Sequence, residues 1–398
     1  MKIRVIRGQN QIGGSVIEVS SGGARVILDV GSELDGETPQ IPAVDGLFQG
    51  EPGCDAVFVT HYHGDHIGLA ADVLPGIPVF MGERAAAVYQ AANAYMGRKF
   101  VRTEHFLRPE ESVTVGEIKI TPFLCDHSAF DSYMLLLECE GKKVLYTGDF
   151  RASGRKSFPA LLRRLDQVDV LISEGTTLSR PAGEVITEVD LEQKALEAMC
   201  KTDGPVFIFM AATNIDRIVT AYKAARRAGR VFLQDVYTAS ITAAAGGNIP
   251  NPRSFRAVRV FLSYPGDKQY HILNQFPAAK IGRAGIAQQR FLMCVRPSMT
   301  RYLEKLSELI SFDGGILFYS IWNGYKQKDD VATFLDFMRG KGVTVIDLHT
   351  SGHADADAID ALIADVRPKY IIPVHTENAS WFDRYENCRV VHTGEIAL

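Results

Sequence analysis

His61-Tyr62-His63-Gly64-Asp65-His66 puts three imidazoles and a carboxylate into six residues. Such a donor set suits zinc or a similar first-row divalent ion. A polar loop that merely happens to be rich in histidine is the bland alternative. It is disfavoured because the chain has only ten histidines in 398 residues. The run before the cluster, Ala56-Val57-Phe58-Val59-Thr60, reads as a buried strand, and Ile67-Gly68-Leu69-Ala70-Ala71 after it reads as a helix start. The cluster is therefore expected on a turn at a strand's C-terminal end, where α/β proteins place their chemistry. Alternation along extended chain lets His61 and His63 share one ion while Asp65 and His66 turn towards another.

Other candidates also terminate hydrophobic runs. Ile118–Cys125 leads to Asp126-His127-Ser128, Lys143–Thr147 to Gly148-Asp149-Phe150-Arg151, and Tyr370–Val374 to His375-Thr376-Glu377. A single His or Asp after a strand is more often a turn former or cap than a ligand. It is their recurrence in chain order that singles these out.

Together these residues resemble the metallo-β-lactamase superfamily: His-x-His-x-Asp-His, a strand-end His, a Gly-Asp and a late Pro-Val-His. Three more motifs look like those of its nucleic-acid-processing β-CASP group, and within it ribonuclease J: Ser173-Glu174-Gly175-Thr176-Thr177, Thr350-Ser351-Gly352-His353-Ala354 and Pro373-Val374-His375-Thr376-Glu377. Gly8 to Ser15 and Leu28-Asp29-Val30-Gly31 are similar to the superfamily's first hairpin and first aspartate.

The resemblance implies an α/β fold, an αββα sandwich over residues 1–179 and 346–398, with an inserted parallel-sheet β-CASP domain over 180–345. It implies two divalent ions, zinc in the first place with manganese as the alternative. His61, His63 and His127 would hold one ion, Asp65, His66 and His375 the other, and Asp149 would bridge them. Asp29 and Glu174 would orient ligating histidines, since such an imidazole usually donates its other N–H to a carboxylate. His353 would be the general acid, with Asp65 as a second catalytic residue. Ser351 and the amides around Gly352 would receive a substrate phosphate; apart from the resemblance, Arg151 is expected to meet substrate because its position just after Asp149 ties it to the metal centre. The expected activity is two-metal hydrolysis of phosphodiesters in RNA, with single-stranded DNA as an alternative polymer and with internal or 5′-end cutting both open. The competing readings are a small-molecule hydrolase acting on a lactone, thioester or phosphodiester, and a non-catalytic binding subunit. With its end at Leu398, the chain resembles ribonuclease J without the C-terminal domain of that family, and self-association stays open.

Composition sets the frame. Charged residues are 23% and hydrophobic ones 46%, the profile of a globular protein. No apolar stretch is long enough for a membrane helix, and Met1–Arg7 lacks a signal-peptide core. Six scattered cysteines show no metal or redox spacing, which points to a reducing cytoplasm. A net charge of −4 requires any nucleic-acid contact to use a local basic surface. Arg151, Arg155 and Lys156 form one basic group, and Arg253, Arg256 and Arg259 another.

The elements that must position these residues divide into two rhythms. Up to about residue 175, short strands dominate, with an alanine-rich helix from Glu83 to Tyr95 closed by Gly97. Between Glu174 and Ser351, strands alternate with helices, including amphipathic Asn214–Ala228, as crossover units require. A helix at Asp355–Val366, a strand at Tyr370–Val374 and a helix at Glu377–Glu386 are expected to follow. Thr238 to Asn251 is Ala/Gly-rich, and Gly246-Gly247-Asn248 within it reads as a flexible loop. The insert would wall one side of a cleft that grips polymer. Trp322 could stack a base there, although core packing is the commoner fate of a tryptophan.

Overall fold

The computed structural model describes residues 1–34, 40–181, 183 and 185–398. The chain divides into two units, Met1–Val185 with Gly352–Leu398, and Ile186–Ser351. Among the described residues, the first unit carries two seven-stranded sheets. One runs Glu395–Ala397, Lys2–Arg7, Val16–Ser21, Ala24–Leu28, Ala56–Phe58, Val79–Gly82, His105–Leu107 across the sheet. The other runs Arg389–Val390, Tyr370–Pro373, Val170–Ser173, Lys142–Tyr146, Ser132–Cys139, Ile118–Cys125, Val113–Val115.

Period-two patterning sorts these strands into layers. Ile17, Val19, Val26, Leu28 and Phe58 of the first sheet share a core with Ile120, Leu135, Leu137, Tyr146 and Ile172 of the second. The intervening residues Met134, Leu136, Leu145 and Leu171 face the other way, onto Ile359, Leu362 and Ile363 of helix Ala356–Val366. Helix Glu83–Met96 packs back on strand Val79–Gly82 and ends at Gly97, whose left-handed φ of 69° closes it. This is the expected helix–sheet–sheet–helix sandwich.

The second unit is built on a six-stranded parallel sheet in the order Val258–Phe261, Val231–Asp235, Phe291–Val295, Val206–Phe209, Ile316–Tyr319, Thr344–Asp347. Both faces are covered, as all-parallel sheets require. Phe207, Met293 and Leu317 meet Leu303, Phe334 and Met338 on one side. Ile208, Leu292 and Phe318 meet Leu191, Ile218 and Ala224 on the other. Buried Arg217 pairs with Glu188 at 3.1 Å and donates to the Leu348 carbonyl at 2.8 Å, which anchors the strand end that leads to Ser351. No helix among the described residues is long and apolar enough to cross a membrane.

Several elements differ from the expectations. The helix expected after the histidine cluster begins inside it, at Gly64–Ile67, and Ala70–Asp72 is a 3-10 turn. The helix expected over Glu377–Glu386 is only a 3-10 segment, Ala379–Arg384. There the Asn378 amide donates to the Thr376 hydroxyl at 3.0 Å and its side chain to the Leu178 carbonyl at 2.9 Å, in place of helical bonds. Much of Thr238–Asn251 is helical, as Val236–Ala245, because Asp235 caps its first turn through the Thr238 amide; Gly246 ends it. Strand Glu395–Ala397, not anticipated, pairs antiparallel with Lys2–Arg4.

Candidate metal centre

Each strand that borders the centre ends in a donor. The strand Ala56–Phe58 runs into Thr60 and His61, and helix Gly64–Ile67 turns Asp65 and His66 back beneath them. His127 follows strand Ile118–Cys125, Asp149 follows Lys142–Tyr146, Glu174 follows Val170–Ser173, and His375 follows Tyr370–Pro373. Two of the turns use rare left-handed backbone, Asp29 at φ 58° and His375 at φ 51°. Such geometry concentrates at functional sites, where surrounding structure must enforce it. The His375 amide is tied to the Gly8 carbonyl at 2.7 Å. Gly148, at φ 52°, lies so close to Thr60 that a Cβ there would meet its side chain at 2.8 Å.

Ligand atoms of His61, His63 and His127 lie within 4.8 Å of one another, as do those of Asp65, His66, Asp149 and His375. A third group at the same spacing joins Asp149, Glu174, His353 and His375. Asp149 is the hub. Its Oδ2 lies 3.3 Å from His66 Nε2, 3.8 Å from both His61 and His375 Nε2, 4.0 Å from His127 Nε2 and 3.5 Å from His353 Nδ1. Yet neither Asp149 oxygen has a hydrogen-bond partner, and neither do His61 Nε2 and His66 Nε2, although all are buried. Buried carboxylates go unpaired only at a cost of several kcal/mol, roughly, unless a cation compensates. His127 Nε2 and His63 Nδ1 also face each other at 3.0 Å, an arrangement that a shared cation explains. These donors fit divalent metal.

Beneath the donors, two carboxylates set the rings by the same device. Asp29 Oδ2 binds His66 Nδ1 at 2.7 Å directly. It also accepts from the Thr60 hydroxyl at 2.9 Å, and that hydroxyl sits 3.0 Å from His61 Nδ1. Glu174 Oε2 lies 3.1 Å from His353 Nδ1 and accepts from the Thr176 hydroxyl at 2.7 Å, which in turn sits 2.8 Å from His375 Nδ1. A hydroxyl has one proton. With that proton on the carboxylate, it must accept from Nδ1–H, so Nε2 of His61 and of His375 carries the lone pair towards the centre. His127 is fixed similarly, its Nδ1 donating to the Gly352 carbonyl at 2.5 Å. Tyr146 completes the cradle by donating to Asp29 at 2.8 Å.

The charge states follow from this packing. Burial pushes His61 and His127 well below the ordinary histidine range and His63 down to about 4. Burial opposes charge on His66 too, but Asp149 and Asp29 outweigh it and raise its pKa well above the ordinary value. For His353, Glu174 and Asp149 likewise overcome burial and raise it to about 9. Burial would raise Asp65 and Asp149, but neighbouring imidazoles hold both carboxylates low.

The remaining candidates are placed differently. Arg151, expected to meet substrate, is 1% exposed and its Nε donates to buried Asp126 at 2.7 Å, so it braces the loop below the donors instead. The glycine at 352 answers to its neighbours, since a Cβ there would lie 2.7 Å from Ser128 Oγ and 3.3 Å from His127 Cε1. Ser351 is half-buried at the end of the second unit. Thr60 and Thr176 were not recognised as functional from sequence. Their only signal is adjacency, one residue before His61 and two after Glu174.

Comparison with known proteins agrees with this geometry. Residues 25–210 match the family model described as a beta-lactamase superfamily domain, and residues 342–385 that of a Zn-dependent metallo-hydrolase RNA specificity domain. The chain carries a metallo-β-lactamase superfamily domain and resembles ribonuclease J within its β-CASP group. Among its relatives, Ribonuclease J of Sinorhizobium meliloti (strain Sm2011 / Rm2011 / 2011) is 23% identical over 366 residues, covering 88% of this chain and 62% of the relative. The RNase J-like protein of Methanocaldococcus jannaschii is 29% identical over 255 residues, 58% of this chain and 56% of the relative. Ribonuclease J2 of Bacillus subtilis (strain 168) is 21% identical over 402 residues, 95% of this chain and 69% of the relative. The chain thus spans 56 to 69% of the length of these three relatives. A crystal structure of a protein of unknown function from Enterococcus faecalis V583 has the same fold, with a TM-score of 0.83, 21% identity and coverage of 100% of this chain and 99% of that one.

Proposed function

We propose that this chain is a metal-dependent hydrolase of RNA phosphodiesters, of the ribonuclease J type. The observation that carries the reading is the place of His353. It stands on the segment that matches an RNA specificity domain, with ring centroids 5.4 Å from His127 and 5.6 Å from His375. In this reading His61, His63 and His127 hold one divalent ion, Asp65, His66 and His375 a second, and Asp149 serves both; zinc is favoured over manganese because the donors are mostly imidazole. When bound, such ions supply Lewis acidity towards the phosphate and a clamp for charge that develops on its oxygens.

The side chains do the rest. Asp29 and Glu174, partly through Thr60 and Thr176, keep the imidazole lone pairs aimed at the centre. His353 is 23% exposed while its Nδ1 is engaged by Glu174, so the opposite nitrogen is the one to protonate a departing oxygen. Asp65, held ionised, lies 3.1 Å from His375 Nε2 and is the carboxylate able to take a proton from attacking water. The Ser351 hydroxyl is assigned to a substrate phosphate. A reducing cytoplasm suits the six free cysteines. The test is metal analysis followed by incubation with 5′-labelled RNA and the matching single-stranded DNA. The reading expects bound divalent metal and chelator-sensitive RNA cleavage. Intact RNA, with turnover of a lactone or thioester instead, overturns it.

A further inference from the structure

The second unit holds a cavity of about 500 Å³ with a single sign of charge around it. Arg226, Arg256, Arg259 and Lys280 line it, and among the described residues no aspartate or glutamate does. Over the whole chain carboxylates outnumber lysine and arginine, 47 to 43, so composition alone does not gather four cations in one place. A cleft lined by one sign of charge focuses its field and draws counter-ions in.

Separate segments supply the wall. Arg226 lies in the last turn of helix Ile215–Arg227. Val231 opens strand Val231–Asp235, and Arg256 and Ala257 lead into strand Val258–Phe261, so the cavity lies at the N-terminal edge of the parallel sheet. Arg259 pairs with Leu233 in the ladder and shares a strand face with Phe261, and both of those neighbours belong to the core. Alternation calls for a hydrophobe at that position. Instead its guanidinium donates to the Ala278 carbonyl at 2.7 Å. Lys280 bridges to Val260 on the outer side of the same strand, and its ammonium donates to Asn274 Oδ1 at 2.5 Å. Both acceptors are neutral oxygens, which position the two cations without cancelling their charge. Arg253, the third arginine of that sequence cluster, lies instead 5.5 Å from the centre of the Phe276 ring.

Guanidinium groups match phosphate oxygens through paired N–H bonds, and a lysine adds a point charge. A phosphate group carries about −1.5 to −2 at neutral pH, so four cations match at least two of them. The volume falls within the range of small-molecule pockets, about 300–1,000 Å³. Val231, Ala257 and Ile281 add a half-buried apolar wall and Gln289 a carboxamide, groups that a base or sugar can use. Substrates of such sheets bind at the C-terminal edge, the one that leads to Ser351, so the RNA reading does not account for these cations.

We propose that this cavity binds a small phosphoanion with two or more phosphate groups, either an inorganic phosphate chain or the tail of a nucleotide. The site lies wholly in the second unit, whereas every donor of the metal centre lies in the first, and it stands whatever the substrate of that centre.

Calorimetric titration of the metal-loaded chain with inorganic triphosphate, ATP and orthophosphate tests it. Triphosphate and ATP should bind, and orthophosphate far more weakly. The double variant Arg226→Gln with Arg256→Gln should weaken both by about 10- to 100-fold, the usual worth of charged hydrogen bonds. Lys194→Gln with Lys305→Gln removes equal charge from exposed helix positions outside the cavity and should change little. Tighter binding of ATP than of triphosphate assigns the site to a nucleotide, and equal affinity to the phosphate chain alone; either supports the proposal. Failure of both to bind, or an equal loss in the two double variants, overturns it. So does binding that survives in the arginine variant and vanishes in His375→Ala, which places the anion at the metals. Weaker RNA binding by the arginine variant, with no binding of the small anions, makes the cavity a contact for polymer backbone and also overturns it.

Discussion

Thr176→Val is the substitution that interrogates the centre most finely, because it keeps the shape of the side chain and removes one hydroxyl. In the structure that hydroxyl donates to Glu174 at 2.7 Å and stands 2.8 Å from His375 Nδ1. Its loss leaves a buried ring N–H without an acceptor, a cost of about 1–3 kcal/mol. The same loss frees His375 to rotate or change tautomer, which turns its Nε2 lone pair away from the centre. Removing a group that orients a metal ligand typically lowers affinity by about 10–100-fold, or about 1.4–2.7 kcal/mol. The first cost shows as lost stability, and the second as weaker metal binding. Thr60→Val should do the same on the other side, since Thr60 relays Asp29 to His61 with the same geometry. Metal-buffered titrations that resolve the two affinities provide the assay. Thr176→Val should weaken the ion on Asp65, His66 and His375, and Thr60→Val the ion on His61, His63 and His127. If both variants bind metal like the parent, or both weaken the same ion, the paired-relay account is wrong.

Other outcomes follow from the same geometry. Asp149→Asn should lower the occupancy of both ions, whereas His375→Ala should release mainly one, as metal content per chain will show. Ion uptake should also differ in proton release. His66 has a raised pKa and is protonated near neutral pH in the metal-free protein, so its ion must displace a proton and bind more tightly as pH rises; His61, His63 and His127, all lowered, have no proton to lose. Calorimetry in buffers of different ionisation enthalpy separates the two, and equal proton release at both sites contradicts the assignment. Gly352→Ala should disturb His127 through the 3.3 Å approach to its Cε1 and reduce affinity for the ion there, with the other ion retained. Ser351→Ala should erase any preference for RNA with a 5′ monophosphate over a 5′ triphosphate, measured by initial rates.

Much of the centre was legible because each donor ends a run of apolar residues. Strand patterning alone announces where His61, His127, Asp149 and His375 leave the sheets, and those positions need no knowledge of the tertiary fold. The layers were legible for a similar reason: alternation in Ser132–Cys139 sends Leu135 and Leu137 to one core and Met134 and Leu136 to the other. What sequence could not convey depends on distant partners. Thr60 and Thr176 gain their roles only when Asp29 and His375 arrive beside them, 31 and 199 residues away. Arg151 reads as a substrate-facing cation because it follows Asp149, yet the loop folds its guanidinium down onto Asp126. Strand Glu395–Ala397 is too short for its pattern to count and exists because Lys2–Arg4 offers it an edge. The segment after His375 reads as helical by composition, but local side-chain bonds at Thr376 and Asn378 take the backbone first.

The central claim is that the buried donors serve phosphodiester hydrolysis with His353 as the acid, and one comparison addresses it most directly. His353→Ala is assayed for metal content and for turnover of two substrates, RNA and a nitrophenyl phosphodiester whose leaving group needs no proton. The account predicts a full complement of metal, a loss of about 10²–10⁴ in turnover on RNA, the usual worth of a positioned acid, and a much smaller loss on the nitrophenyl ester. Loss of an ion, or an equal slowing of both substrates, would contradict it and make His353 a ligand or a structural residue.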